Sequence, residues 1–206
     1  MPIDYFGYYS LLEPYISTYY SLEKFEKGDN LYKKLSSKYD QTLKYYSQLS
    51  KSKDSRFSIY TFAENIITDT ERYRVLVETL LKSQDNNLKS NSIVQFINST
   101  EFVTDLYGEY DYYILLFDYV EELFILNNTE FARELYFKIS KPLKERILIL
   151  LAMEEKDEYY QTLLNDYFQL KSLVEIITTY DEKNNYVFDE IKEIERITND
   201  LNEIIN

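Results

Sequence analysis

The chain has no histidine, cysteine or tryptophan among its 206 residues, and only three glycines and three prolines. Each absence closes off a class of chemistry or fold. Without imidazole, no side chain of ordinary pKa shuttles protons near neutral pH. Without thiols there is no thiolate nucleophile, no disulfide framework and no Cys/His zinc site. So few turn residues cannot build the many tight connections of a β-sandwich or barrel. Long apolar runs are missing too. Tyr112–Phe117 is short and flanked by Asp111 and Asp118, which rules it out as a bilayer span. Met1-Pro2-Ile3-Asp4-Tyr5 has neither the basic nor the apolar region of a signal peptide. The expectation is a cytoplasmic protein without membrane contact, metal or cofactor.

What is present is helix-forming and aromatic. Hydrophobic residues make up 45% of the chain, and tyrosine alone supplies 23 positions, which argues for a packed core and against disorder. Apolar residues recur at steps of three and four. Leu31, Leu35, Tyr39, Leu43, Tyr46 and Leu49 form one stripe, and Ile59, Phe62, Ile66, Tyr73, Val77 and Leu80 a second. Pro14 divides an aromatic first segment, and Gly28 reads as a helix stop before a new N-cap at Asp29 or Asn30. The polar stretch 83–91 reads as a loop and the best candidate for a subdomain boundary, with a short helix over Ile93–Ile97 beyond it. Residues 110–126 are apolar nearly all round and predict a central helix packed on most sides. Pro142 suits the first position of a fresh helix. Asp157 reads as an N-cap, and Asn98-Ser99-Thr100 and Asn127-Asn128-Thr129 as helix caps rather than glycosylation sites.

The last segment places Val187, Ile191, Ile194, Thr198, Leu201 and Ile205 on a seam close to a heptad repeat. It reads as a helix docked on its own bundle, or as a dimerising helix. No repeat of 30 to 45 residues recurs at a fixed phase. The fold expected is an all-α, single compact multi-helix domain over residues 1–206, with seven to nine helices and no sheet.

Charge is uneven. The 36 acids and 23 bases leave −13 overall; residues 31–100 hold 7 acids and 11 bases, and residues 101–206 hold 24 and 10. Carboxylates three apart in Asp118–Glu122 and Glu154–Glu158 have spacing that suits Mg²⁺, but acids are so abundant that chance alone gives about six such pairs. A solvated acidic face is the preferred reading, and a Mg²⁺-dependent nucleotide hydrolase the least favoured. In residues 31–56, Lys33, Lys34, Lys38, Lys44, Lys51, Lys53 and Arg56 alternate with tyrosines. They could neutralise phosphates while rings stack on bases, making a nucleic-acid-binding protein the alternative reading. A second basic island, Arg133, Lys138, Lys141, Lys144 and Arg146, has acids close by to pair with. In tyrosine doublets such as Tyr45-Tyr46, Tyr112-Tyr113 and Tyr159-Tyr160, successive side chains point about 100° apart, so one ring of each pair is expected to be partly exposed.

In composition the whole chain resembles small orphan proteins of viruses that infect thermophilic archaea. That resemblance implies a host–virus role in the host cytoplasm, as an anti-CRISPR-like inhibitor or an adaptor. The expectation is a non-enzymatic acidic interaction protein that docks on a basic surface of a host protein or ribonucleoprotein complex. The residues expected to make the contact are Glu154, Glu155, Asp157, Glu158 and Tyr159, then Asp181, Glu182, Asp189 and Glu190.

Overall fold

The computed structural model describes residues 11–51, 59–153 and 156–205. These residues form nine helices, with single-turn pieces at Ile59–Phe62, Glu101–Val103 and Thr104–Tyr107, and contain no strand. The chain divides at Gly108 into two compact units.

The first unit holds α1 (Glu13–Ser21), α2 (Phe25–Ser50), α3 (Ala63–Leu80) and α4 (Asn86–Thr100). Its core is built around tyrosine. Tyr39 of α2 stacks on Tyr73 of α3, centroids 5.7 Å apart, and Tyr73 meets Phe96 of α4 edge-on at 5.2 Å. Offset and edge-to-face contacts are what ring quadrupoles favour, so this column joins three helices through area and geometry together. Leu35, Leu43, Ile66, Val77, Leu80 and Ile93 fill the space around it.

Two sequence expectations change here. Gly28 does not stop a helix; it lies inside α2. The chain turns before α2 begins, at Leu22–Lys24, where the Lys24 N–H donates to the Tyr19 carbonyl and the Glu23 N–H to the Tyr20 carbonyl, with Glu23 at φ 56°. Nor is the whole of 83–91 a loop. Asp85 accepts from the Leu88 N–H at 2.9 Å and starts α4 there, well before Ile93. The small polar residues that resemble a loop are helical, and Ser90 and Ser92 are buried against neighbours.

The second unit holds α5 (Glu109–Ile114), α6 (Asp118–Ile125), α7 (Thr129–Leu151), α8 (Lys156–Asp181) and α9 (Asn185–Ile205). The apolar run 110–126 is not one central helix. It breaks at 115–117, where Leu115, Leu116 and Phe117 bond back three residues instead of four. The hub is α7, which packs against α5, α6 and α8. Pro142 sits within α7 and does not begin a new helix. Its ring forfeits one backbone bond, and the continuous buried stripe of Leu135, Tyr136, Ile139, Leu143, Ile147 and Leu150 offsets the loss. The α9 seam docks within its own unit: Ile197 and Leu201 join Ile147, Leu150, Leu163, Tyr167 and Leu170 in one cluster, with Ile194 packed against it. Thr198 shares a 2.8 Å hydrogen bond with Tyr167. The helix α8 begins at Lys156, one residue before the expected cap Asp157.

Candidate interaction surfaces

Five of the ten basic side chains of the second unit, Arg133, Lys138, Lys144, Arg146 and Arg196, pair with its own carboxylates. Arg133 of α7 grips Asp181 at the end of α8 with two hydrogen bonds, Nε to Oδ2 and Nη2 to Oδ1, both 2.6 Å. The Tyr186 hydroxyl donates to the same Oδ2 at 2.6 Å. These donors, the Arg133 guanidinium foremost, hold the Asp181 carboxyl below the usual carboxylate range despite its burial. Glu190 of α9 accepts from the Tyr136 hydroxyl at 2.6 Å and pairs with Lys144. Arg146 lies 3.0 Å from Asp166, which also accepts from Tyr110 at 2.6 Å, and the guanidinium sits over the Tyr110 ring. Burial pushes the Asp166 carboxyl upward, against the pull of Tyr110 and Arg146. Lys138 pairs with Glu134 one turn away. Four members of the basic island at 133–146 are therefore internal counter-ions.

The residues expected to contact a partner thus separate into groups. Asp181 is buried and Glu190 half-buried, and both are engaged within the unit. Glu182, Asp189 and Tyr159 are exposed. Asp157 and Glu158 lie in the first turn of α8. Glu154 and Glu155 lie outside the described residues, as do Lys53 and Arg56 of the basic stretch. Among the described residues, no group of three or more carboxylates is placed to hold a metal ion, and no helix is long and apolar enough to cross a membrane.

Apart from Tyr159, sequence pattern did not single out the rings that the second unit exposes. Phe137, Phe168, Tyr180 and Phe188 all face solvent. Tyr180 stacks on Phe124 at 5.8 Å, its hydroxyl reaches Glu121 at 3.1 Å, and Ile125 stands exposed on the same helix as Glu121. The visible signal was register: Tyr180 falls off the stripe that runs through Leu170, Val174 and Ile177. The doublet expectation holds for Tyr45-Tyr46 and Tyr159-Tyr160, where the first ring is the more exposed. It fails for Tyr112-Tyr113, both buried.

In the first unit, the lysines of α2 have no comparable partners. Lys33, Lys34, Lys38, Lys44 and Lys51 are exposed, and none forms an ion pair among the described residues. The acids beside them turn inward. Asp29 accepts from the Tyr20 hydroxyl at 2.8 Å, and Asp40 accepts from Ser99. No family model, curated protein or solved structure matches the chain.

Proposed function

We propose that the protein is a non-enzymatic interaction protein whose second unit docks on a basic surface of a partner protein or ribonucleoprotein. The observation that carries this reading is the pairing of charge and rings in that unit. Residues 109–206 hold 22 acidic and 10 basic side chains, against 14 and 13 in residues 1–108. Several of those bases are already neutralised internally, and aromatic rings stand exposed among the remaining acids. Net charge of one sign speeds encounter with an opposite surface, and exposed rings that become buried set how long the complex lasts. Tyr180 with Glu121, then Glu182, Asp189 and Tyr159, are the contact residues this reading favours. The compositional resemblance to viral proteins fits an inhibitor or adaptor acting on host nucleic-acid machinery.

The test is affinity capture from a host lysate at two salt concentrations, run in parallel with a Glu121→Lys/Tyr180→Ala/Glu182→Lys variant. A basic partner that the parent retains, that high salt weakens and that the variant loses supports the reading. Capture that ignores all three substitutions, or a captured partner that is acidic, overturns it.

A further inference from the structure

We propose that the outer face of α2 binds single-stranded nucleic acid, through lysines that hold the phosphates and exposed tyrosines that stack on bases. The inference concerns the first unit and does not rest on the docking role of the second.

Helix geometry arranges the charges. Eighteen residues make five full turns, so Lys27 and Tyr45 fall on one line along α2, about 27 Å apart, with Lys34 and Lys38 close to that line. Lys33 and Lys51 are also eighteen residues apart and mark a second line, joined by Lys44 after three turns. The buried stripe of Tyr32, Leu35, Tyr39 and Leu43 occupies the opposite side. Between the two lysine lines lie Ser37, Gln41 and Gln48, all exposed, with the Gln41 amide donating to Ser37. The outer face is therefore a polar track flanked by cations on both sides.

What keeps this face positive is the fate of its acids. A solvated lysine helix ordinarily carries carboxylates one turn away that neutralise it. Here Asp29 is taken up by Tyr20, and Asp40 by Ser99 from α4, so both are drawn towards the core. Glu26, in the first turn, is the one acid of α2 left exposed.

The rings decide between nucleic acid and other polyanions. Tyr45 is 51% exposed at the end of the first lysine line. It abuts Tyr46, which contacts Phe62 of the 3-10 turn packed against α2, and on the same turn Tyr60 is 69% exposed. A sulfated sugar has no aromatic face to stack on the flat rings beside the charges. Unpaired bases do, whereas the bases of a duplex are already stacked on one another.

Fluorescence anisotropy of the full chain with a labelled oligo-dT, titrated across salt, tests the proposal. Heparin, a hairpin duplex and anionic phosphatidylserine vesicles serve as comparisons. Contact by five or six of the six lysines on the two lines predicts a log–log salt slope of about −3.5 to −4. Lys34→Glu/Lys38→Glu/Lys44→Glu should lower oligo-dT affinity at least tenfold and flatten that slope. Tyr45→Ala should lower oligo-dT affinity about tenfold while leaving heparin binding unchanged. The Glu121→Lys/Tyr180→Ala/Glu182→Lys variant should retain the Lys33–Lys51 dependence, which separates this site from the docking surface. All these positions are exposed, and unchanged thermal melts would verify that the variants fold. No salt-dependent oligo-dT binding, binding indifferent to the lysine reversals or to Tyr45→Ala, or preference for heparin, duplex or vesicles would each overturn the proposal.

Discussion

The ring of Tyr20 occupies the space where a side chain on Gly28 would begin. A Cβ there would lie 2.8 Å from Tyr20 Cδ1 and closer still to Cε1. The ring cannot swing away cheaply, because it is buried and its hydroxyl is tied to Asp29, one residue after the glycine. Glycine inside a helix ordinarily costs about 1 kcal/mol relative to alanine. Here it is the condition for folding α1 back onto α2. Gly28→Ala should therefore destabilise the protein by about 1–3 kcal/mol in chemical denaturation, despite its better helix propensity. In a Tyr20→Ala background the sign should reverse, with Gly28→Ala stabilising by about 1 kcal/mol. A loss of equal size in both backgrounds would refute the packing explanation.

Glu23 and Asn127 occupy the same position in two helix-ending turns. Each has positive φ, 56° and 59°, and the N–H of the residue that follows bonds back to the third residue from the helix end. Asparagine tolerates left-handed backbone, whereas glutamate does so at a cost. Glu23→Gly or Glu23→Asn should raise stability by about 0.5–1 kcal/mol, and Asn127→Ala should lower it by a similar amount. Thermal unfolding of the three variants checks both signs.

Gly108 poses a different backbone problem. Its φ of 81° and ψ of 150° fall in a region that only glycine enters freely, and the space around it is open. Asparagine gains no exemption there, since its tolerance is for the left-handed helical region. Gly108→Ala and Gly108→Asn should each cost about 1–3 kcal/mol, without the rescue expected at position 23. Denaturation midpoints of the pair decide the matter.

The sequence made the helices legible where apolar stripes were regular, as in α2, α3, α8 and α9. It misled where one residue type serves two ends. Gly28 carries the signature of a stop but is there for a close approach, and Pro142 carries the signature of a start but is held inside α7 by the buried stripe around it. Asn86–Asn91 looks like a loop because its residues are polar, yet a single cap at Asp85 is enough to make it helical. The sites were legible only as composition. The acidity of the second unit and the basicity of α2 were plain in the residue counts. The inward turn of Asp40 towards Ser99, and of Asp181 towards Arg133, depends on residues 59 and 48 positions away, and no local pattern encodes that.

Two buried aspartates should respond to pH with opposite signs. Asp69 of α3 lies against Tyr39 and Tyr46, and burial pushes its carboxyl up to about 6, with Arg72 offsetting part of the effect. Its folded pKa exceeds the unfolded value near 4, so the native state holds the proton more tightly and stability falls as pH rises from about 4 to about 6. Asp69→Asn removes the buried charge with little change of shape. It should stabilise the protein by about 1–3 kcal/mol at pH 7 and by almost nothing at pH 4. Asp181 is held below its ordinary value by Arg133. Its contribution is complete above about pH 4 and is lost as pH falls through the depressed value. Asp181→Asn should cost about 2 kcal/mol at pH 7, a figure reduced for the partial exposure of Arg133, and progressively less as the solution is acidified. Urea denaturation gives the comparison, at pH 7, 5.5 and 4 for Asp69→Asn and at pH 7, about 4 and about 2.5 for Asp181→Asn, whose contribution is lost only below about pH 4. If Asp69→Asn destabilises at pH 7, the buried carboxylate has a stabilising partner and the argument from burial fails.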